Sequence, residues 1–145
     1  MIDSGVYMGS GVRSAANMKF GVVVVGEFYD FSQLHLMPLI EELVQMGCPE
    51  QNIVVRNAPS IFDVVITAQF LAEYTDVDAV VILMPENRMI NALPIMNGII
   101  QLQLQWNMVV TVGGSERAAQ LVEMVNMQYE MVSTAADNTA EGSIS

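Results

Sequence analysis

The chain is poor in cations, cysteine and histidine. Of its 145 residues only 5 are Lys or Arg, against 16 Asp or Glu, which leaves a formal charge of −11. A field of that sign repels nucleic acid and anionic membrane surfaces, so neither is expected as a partner. The one cysteine, Cys48, cannot close an intrachain disulfide. The fold must therefore stand on packing, as intracellular chains usually do, and a cytoplasmic location is expected. Cys48 reads as a small buried thiol rather than a nucleophile, because the only histidine, His35, lies in a different pattern and no Cys/His motif surrounds either. No metal or cofactor is called for. The first 17 residues lack both a basic start and an apolar block, so no secretory signal is read there. The longest apolar runs, 79–85 and 108–112, fall far short of the ~20 residues that span a bilayer.

What is present is apolar side chain. Hydrophobic residues make up 52% of the chain and charged ones 14%, ample material to offset the entropy of ordering one compact domain. A mean hydropathy of +0.41 is more than a solitary domain comfortably hides, so part of the apolar surface should face partners. The 12 methionines suit adaptable contacts between subunits, although Met on a helix is more often ordinary core.

Phe20-Gly21-Val22-Val23-Val24-Val25 is a β-branched run without polar alternation, the pattern of a strand covered on both faces. The pattern returns at 53–55, 79–83 and 108–112, with helix-length segments between. This βα alternation predicts an α/β fold, a four-stranded parallel sheet with helices on both faces. The first crossover, 32–47, places Leu36, Ile40, Leu43 and Val44 on one side and should end at Gly47; Pro38 belongs to its first turn or kinks it near His35. The second opens at Pro59-Ser60, with Ser60 as cap and Asp63 on the positive end of the dipole, and runs to about Tyr74. The third is expected over 91–105 and the last helix from Ser115 through Tyr129. Residues 133–145 are small, polar and acidic, as a tail would be.

Ligands of an open parallel sheet sit beyond the carboxyl ends of its strands. One crevice there would gather Phe28 and Tyr29 as stacking faces, Ser60, Ile61 and Asp63 from the second strand end, and Met84 and Arg88 from the third. The amides of Gly114 and Ser115, at a helix start, would bind an anion. Each has a plainer role available: Phe28 as a core aromatic, Ser60 as a cap, Gly113-Gly114 as a tight turn.

The strand ends Gly26-Glu27-Phe28-Tyr29-Asp30 and Asn57-Ala58-Pro59-Ser60-Ile61-Phe62-Asp63, followed by Leu71-Ala72-Glu73 and Gly98-Ile99-Ile100-Gln101-Leu102, resemble in order and spacing the 6,7-dimethyl-8-ribityllumazine synthase family, over roughly residues 19–131. Pro59 to Asp63 together with Met84-Pro85 is also similar to archaeal-type riboflavin synthase. The resemblance implies a flavodoxin-like αβα subunit that forms pentamers and, in some members, cages. It also implies that Phe28 corresponds to the aromatic residue stacking on the heterocycle and Asp63 to a carboxylate near the ribityl chain. The family's Gly-rich loop and catalytic histidine have no match between Met84 and Gly98; His35 falls in the first helix, and Glu27 stands where the family has an arginine. Condensation with loss of phosphate needs an acid/base group and a cation or amide cradle for the dianion, and Glu27 would repel it.

Three readings follow from these residues. The first is a catalytically degenerate member kept for assembly with itself into a ring, cage or tube, pentamer-based or helical. The second is an active enzyme of riboflavin biosynthesis with a rebuilt site, using Glu86 and Arg88. The third is a protein that binds lumazine or flavin without turnover. In the first, residues 1–18 form an arm whose Val6, Tyr7, Met8 and Val12 add a strand to a neighbour's sheet edge, residues 19–132 form the domain, and 133–145 the tail.

Overall fold

A computed structural model describes the backbone of residues 14–144 and side chains as far as Asp137. Strands β1 (Phe20–Val25), β2 (Ile53–Ala58), β3 (Ala79–Leu83) and β4 (Val109–Gly113) alternate with helices α1 (Tyr29–Gln45), α2 (Val64–Tyr74), α3 (Glu86–Ile90), α4 (Leu93–Trp106) and α5 (Arg117–Ile144). All three strand pairings are parallel and the order is β2-β1-β3-β4, a three-layer α/β arrangement of flavodoxin-like type. The chain crosses from one side of β1 to the other on leaving β2, so the switch point lies between β1 and β3.

Strand period divides the core in two. Phe20, Val22, Ala79, Val81 and Leu83 point to the layer of α1 and α5, where they meet Leu39, Leu43, Leu121 and Val125. Val23, Val25, Val80 and Ile82 point the other way, against Val64, Ala68, Leu71, Ile99 and Leu102 of α2 and α4. Both faces of β1 and β3 are thus covered, which is why these strands read as unbroken apolar runs. Ala15 and Met18 pack into the first layer, so the segment just before β1 belongs to the domain. The rest of the arm expected over 1–18, residues 1–13 with Val6, Tyr7, Met8 and Val12, lies outside the described residues.

Several boundaries move. Helix α1 starts at Tyr29, three residues early, and runs through Pro38 without a break. The missing N–H and the ring of Pro38 lie on the exposed side, where a weakened turn is tolerated. Its other end follows expectation: Gly47, at φ 103°, donates to Val44 O at 2.9 Å while Cys48 N–H reaches Leu43 O at 3.0 Å, a Schellman closure. The third crossover divides into α3 and α4. Strand β2 extends to Ala58 and β4 is shifted by one residue, to Val109–Gly113. Helix α5 does not stop at Tyr129 but continues through the polar stretch to Ile144, with 131–137 exposed. Ser133, Thr134, Ala135 and Ala136 are all exposed, and a helix already nucleated adds such residues at small cost. Cys48 is buried, and burial, followed by the nearby Asp78, pushes its thiol up from the usual value, as befits an inert core residue. No helix among the described residues is long and apolar enough to cross a membrane.

Candidate functional site

At the end of β1 the backbone comes so close to that of β2 that a Cβ on Gly26 would lie 2.8 Å from Pro59 O. The next turn, Gly26–Phe28, therefore hangs Glu27 over the turn Ile61–Asp63 that begins the second crossover. Glu27 Oε1 accepts the Ile61 N–H at 2.5 Å. Asp63 Oδ2 accepts from Ser60 N at 3.1 Å and Ser60 Oγ at 3.0 Å, and Ser60 Oγ in turn accepts the Phe62 N–H at 3.2 Å, a complete capping box. Three consecutive amides, of Ser60, Ile61 and Phe62, are thus held by acceptors from the chain itself.

The start of α5 is closed in the same way. Gly114 N–H donates to Glu116 Oε1 at 3.0 Å, and Ser115 N–H to His35 Nδ1 at 3.0 Å. Ser115 Oγ lies 3.1 Å from the same nitrogen. A backbone N–H only donates, so Nδ1 is the lone-pair nitrogen and the neutral ring carries its proton on Nε2. The ring is steadied by Phe31 one turn earlier, centroids 4.3 Å apart. A Cβ on Gly114 would strike Nδ1 at 2.5 Å, so glycine is what lets the imidazole approach. Burial raises the Glu116 carboxyl, but the amides of Gly114 and Glu116 with the Arg117 guanidinium outweigh it and hold the group below the ordinary carboxylate value. Arg117 pairs with Glu86 at 2.6 Å, and its Nε is buried without a partner.

The nine residues expected in one crevice are divided among several places. Phe28 is half-buried against the α2/α4 core, with the Arg88 guanidinium 5.5 Å from its ring centroid. Tyr29 opens α1 and is exposed, and Ile61 is half-buried in the same core as Phe28. Met84 is wholly buried, because it continues the alternation of β3 into the core, and it offers no surface to a ligand. Ser60 and Asp63 follow β2, whereas Gly114 and Ser115 follow β4, and these strands are the two edges of the sheet. Three strand spacings, about 14 Å, separate them. The sheet order, which sequence alone did not supply, is what parts them. His35 was assigned only to a helix, yet it reaches the start of α5; its spacing of four from Phe31 was the available signal.

Glu27, Asp63, Glu86 and Glu116 stand against Arg88 and Arg117 at this end of the sheet. Arg117 is already paired and Arg88 lies over an aromatic ring. With the amides after β2 and β4 taken, the cations left to a phosphate dianion among the described residues are Arg88 and the exposed Arg56 of β2. No group of three or more His, Cys, Asp or Glu able to hold a metal occurs among the described residues.

Large apolar side chains are exposed elsewhere, on both edges of the sheet. On the β2 side Ile66, Phe70 and Tyr74 form an i, i+4, i+8 stripe along α2, over a groove of about 640 Å³, with Phe62 83% exposed just before it. On the β4 side Met124, Met127 and Met131 of α5 line a groove of about 720 Å³ beside the outer edge of β4, and Leu104 of the neighbouring α4 is 78% exposed. That strand edge is partly blunted, since Gln103 Nε2 donates to Val110 O at 2.7 Å.

Compared with known proteins, the chain matches no family model and no curated protein.

Proposed function

We infer that the chain is a self-assembling subunit, a catalytically degenerate protein of lumazine-synthase-like design that builds a homo-oligomeric ring, cage or tube. The observation that carries this reading is the pair of apolar stripes on opposite edges of one sheet, Ile66-Phe70-Tyr74 and Met124-Met127-Met131. Contiguous apolar faces of this kind mark contact surfaces. Two different faces on opposite edges suit a head-to-tail contact, which closes into a ring or propagates as a tube according to the rotation per subunit. The lack of turnover in this reading is supported by the strand ends after β2 and β4, where in-chain acceptors take the helix-start amides, and by the excess of acidic side chains there. Phe28 keeps a stacking position, but Arg88 shares its ring, which disfavours the reading as a flavin or lumazine carrier.

Sedimentation and negative-stain electron microscopy test the assembly directly. The wild type should form uniform particles, and Phe70→Glu and Met131→Glu, one on each edge, should each reduce them to the same smaller species. A wild type that sediments as a monomer at micromolar concentration sinks the reading. Lumazine formation from the two family substrates should not exceed background. Bound flavin absorbance in the purified protein would favour the carrier alternative.

A further inference from the structure

The amino end of the sheet, opposite the crevice, holds a pocket of about 510 Å³ that the assembly reading does not require. Val77 and Asp78 line it on the approach to β3, Trp106 at the end of α4, and Tyr129 and Val132 from α5. The turn from α4 into β4 is made by Asn107 in the left-handed region, φ 48°, and Gln128 Nε2 fixes it by donating to Asn107 O at 2.9 Å. The wall is thus built from three elements held to one another by side-chain bonds.

Its chemistry is one-sided. Asp78 Oδ1 accepts from the Tyr129 hydroxyl at 2.7 Å and Oδ2 from Lys19 N at 2.8 Å. A carboxylate has about four lone-pair positions, so two stay open. Among the described residues no Lys or Arg lines the pocket, and the nearby Lys19 ammonium is engaged with Asp76. Burial, and then Asp78, push the Tyr129 phenol up from its ordinary value, so the hydroxyl remains a donor that orients the carboxylate. An anion flanked on the same wall by indole and phenol rings matches a cation with a flat apolar body: the charge meets Asp78 and the body meets Trp106, Val77 and Val132. The chain's charge of −11 favours encounter with cations as well.

We propose that this pocket binds a small arylalkyl ammonium ion, a primary amine carried on an aromatic ring. Trp106 is the only tryptophan in the chain, so its fluorescence reports on this site alone. The full-length protein is titrated with 2-phenylethylamine and, as a probe of the same body and opposite charge, with 3-phenylpropionate. The amine should produce a saturable change in Trp106 emission and the carboxylate none. Asp78→Asn should weaken the amine by about tenfold or more, the loss of a charge-assisted contact. Because Asp78 also bonds Lys19 N, a second variant guards against misfolding: Val132→Phe, at a position 59% exposed, should fill the pocket and abolish the response without lowering the melting temperature. Equal responses to the two probes, no response to millimolar amine, or wild-type affinity in Val132→Phe would each overturn the proposal.

Discussion

The two ends of the sheet use acidic side chains in opposite ways. At the carboxyl end, Glu27, Asp63 and Glu116 turn inward onto the amides of Ile61, Ser60 and Gly114. At the amino end, Asp78 takes one amide and one phenol and still faces a pocket. The rule that ligands sit beyond the carboxyl ends of parallel strands describes where a backbone can receive them, because helix starts there present free N–H groups. It holds only while those groups are free. In this chain side-chain acceptors, most of them carboxylates, take the amides after β2 and β4, which stabilises these two helix starts through the dipole and leaves them little to offer an anion. Part of the charge of −11 is therefore a structural feature of the carboxyl end, whereas at the amino end it is available for recognition.

The sharpest way to break this comparison is to pry the carboxyl end apart. Gly26→Ala sets a Cβ 2.8 Å from the backbone oxygen of Pro59, which cannot swing aside as a flexible side chain would. The expected loss is about 1–3 kcal/mol in chemical denaturation, in the range of overpacking. A neutral result would mean that the ends of β1 and β2 are not locked together. A smaller effect is expected from Asp63→Ala, which removes the acceptor for Ser60 N and Oγ and should cost about 1 kcal/mol, the value of a helix cap. Asp63→Asn keeps an acceptor and should recover most of it; equal losses in the two variants would show that charge, not the hydrogen bonds, holds the turn.

Periodicity makes the architecture legible in the sequence itself. The runs at Phe20–Val25 and Ala79–Leu83 are unbroken because both faces are covered, and Gly47 and Ser60 mark helix ends with local chemistry that needs no tertiary knowledge. The candidate site was less legible, since sheet order decides which strand ends adjoin. Ser60 and Ser115 look equivalent in sequence, each following a strand, and are on opposite edges in space. Met84 follows β3 as a loop residue would, yet the pleat carries it into the core. His35 meets Ser115 across 80 positions, a pairing visible only once α1 and α5 share a face. The helical continuation past Ser133 was hidden because composition there lacks any apolar stripe.

The smallest effect tests the amino end. Tyr129 is 40% exposed, so losing its bond to Asp78 in Tyr129→Phe should cost about 1 kcal/mol or less at neutral pH. The informative quantity is the pH dependence. In the unfolded chain the phenol ionises near its ordinary value of 10.0, whereas burial and the Asp78 carboxylate hold the proton in the folded chain to higher pH. A group whose folded value is raised contributes its full stability below the unfolded value and loses it as pH rises toward the folded one. The stability gap between wild type and Tyr129→Phe should therefore be constant at neutral pH and narrow progressively above pH 10, while the other tyrosines, common to both proteins, cancel. Urea titrations at a series of alkaline pH values measure the gap. Should it stay constant throughout, the phenol does not hold Asp78 in solution, and the orienting contact on the pocket wall is lost from the comparison.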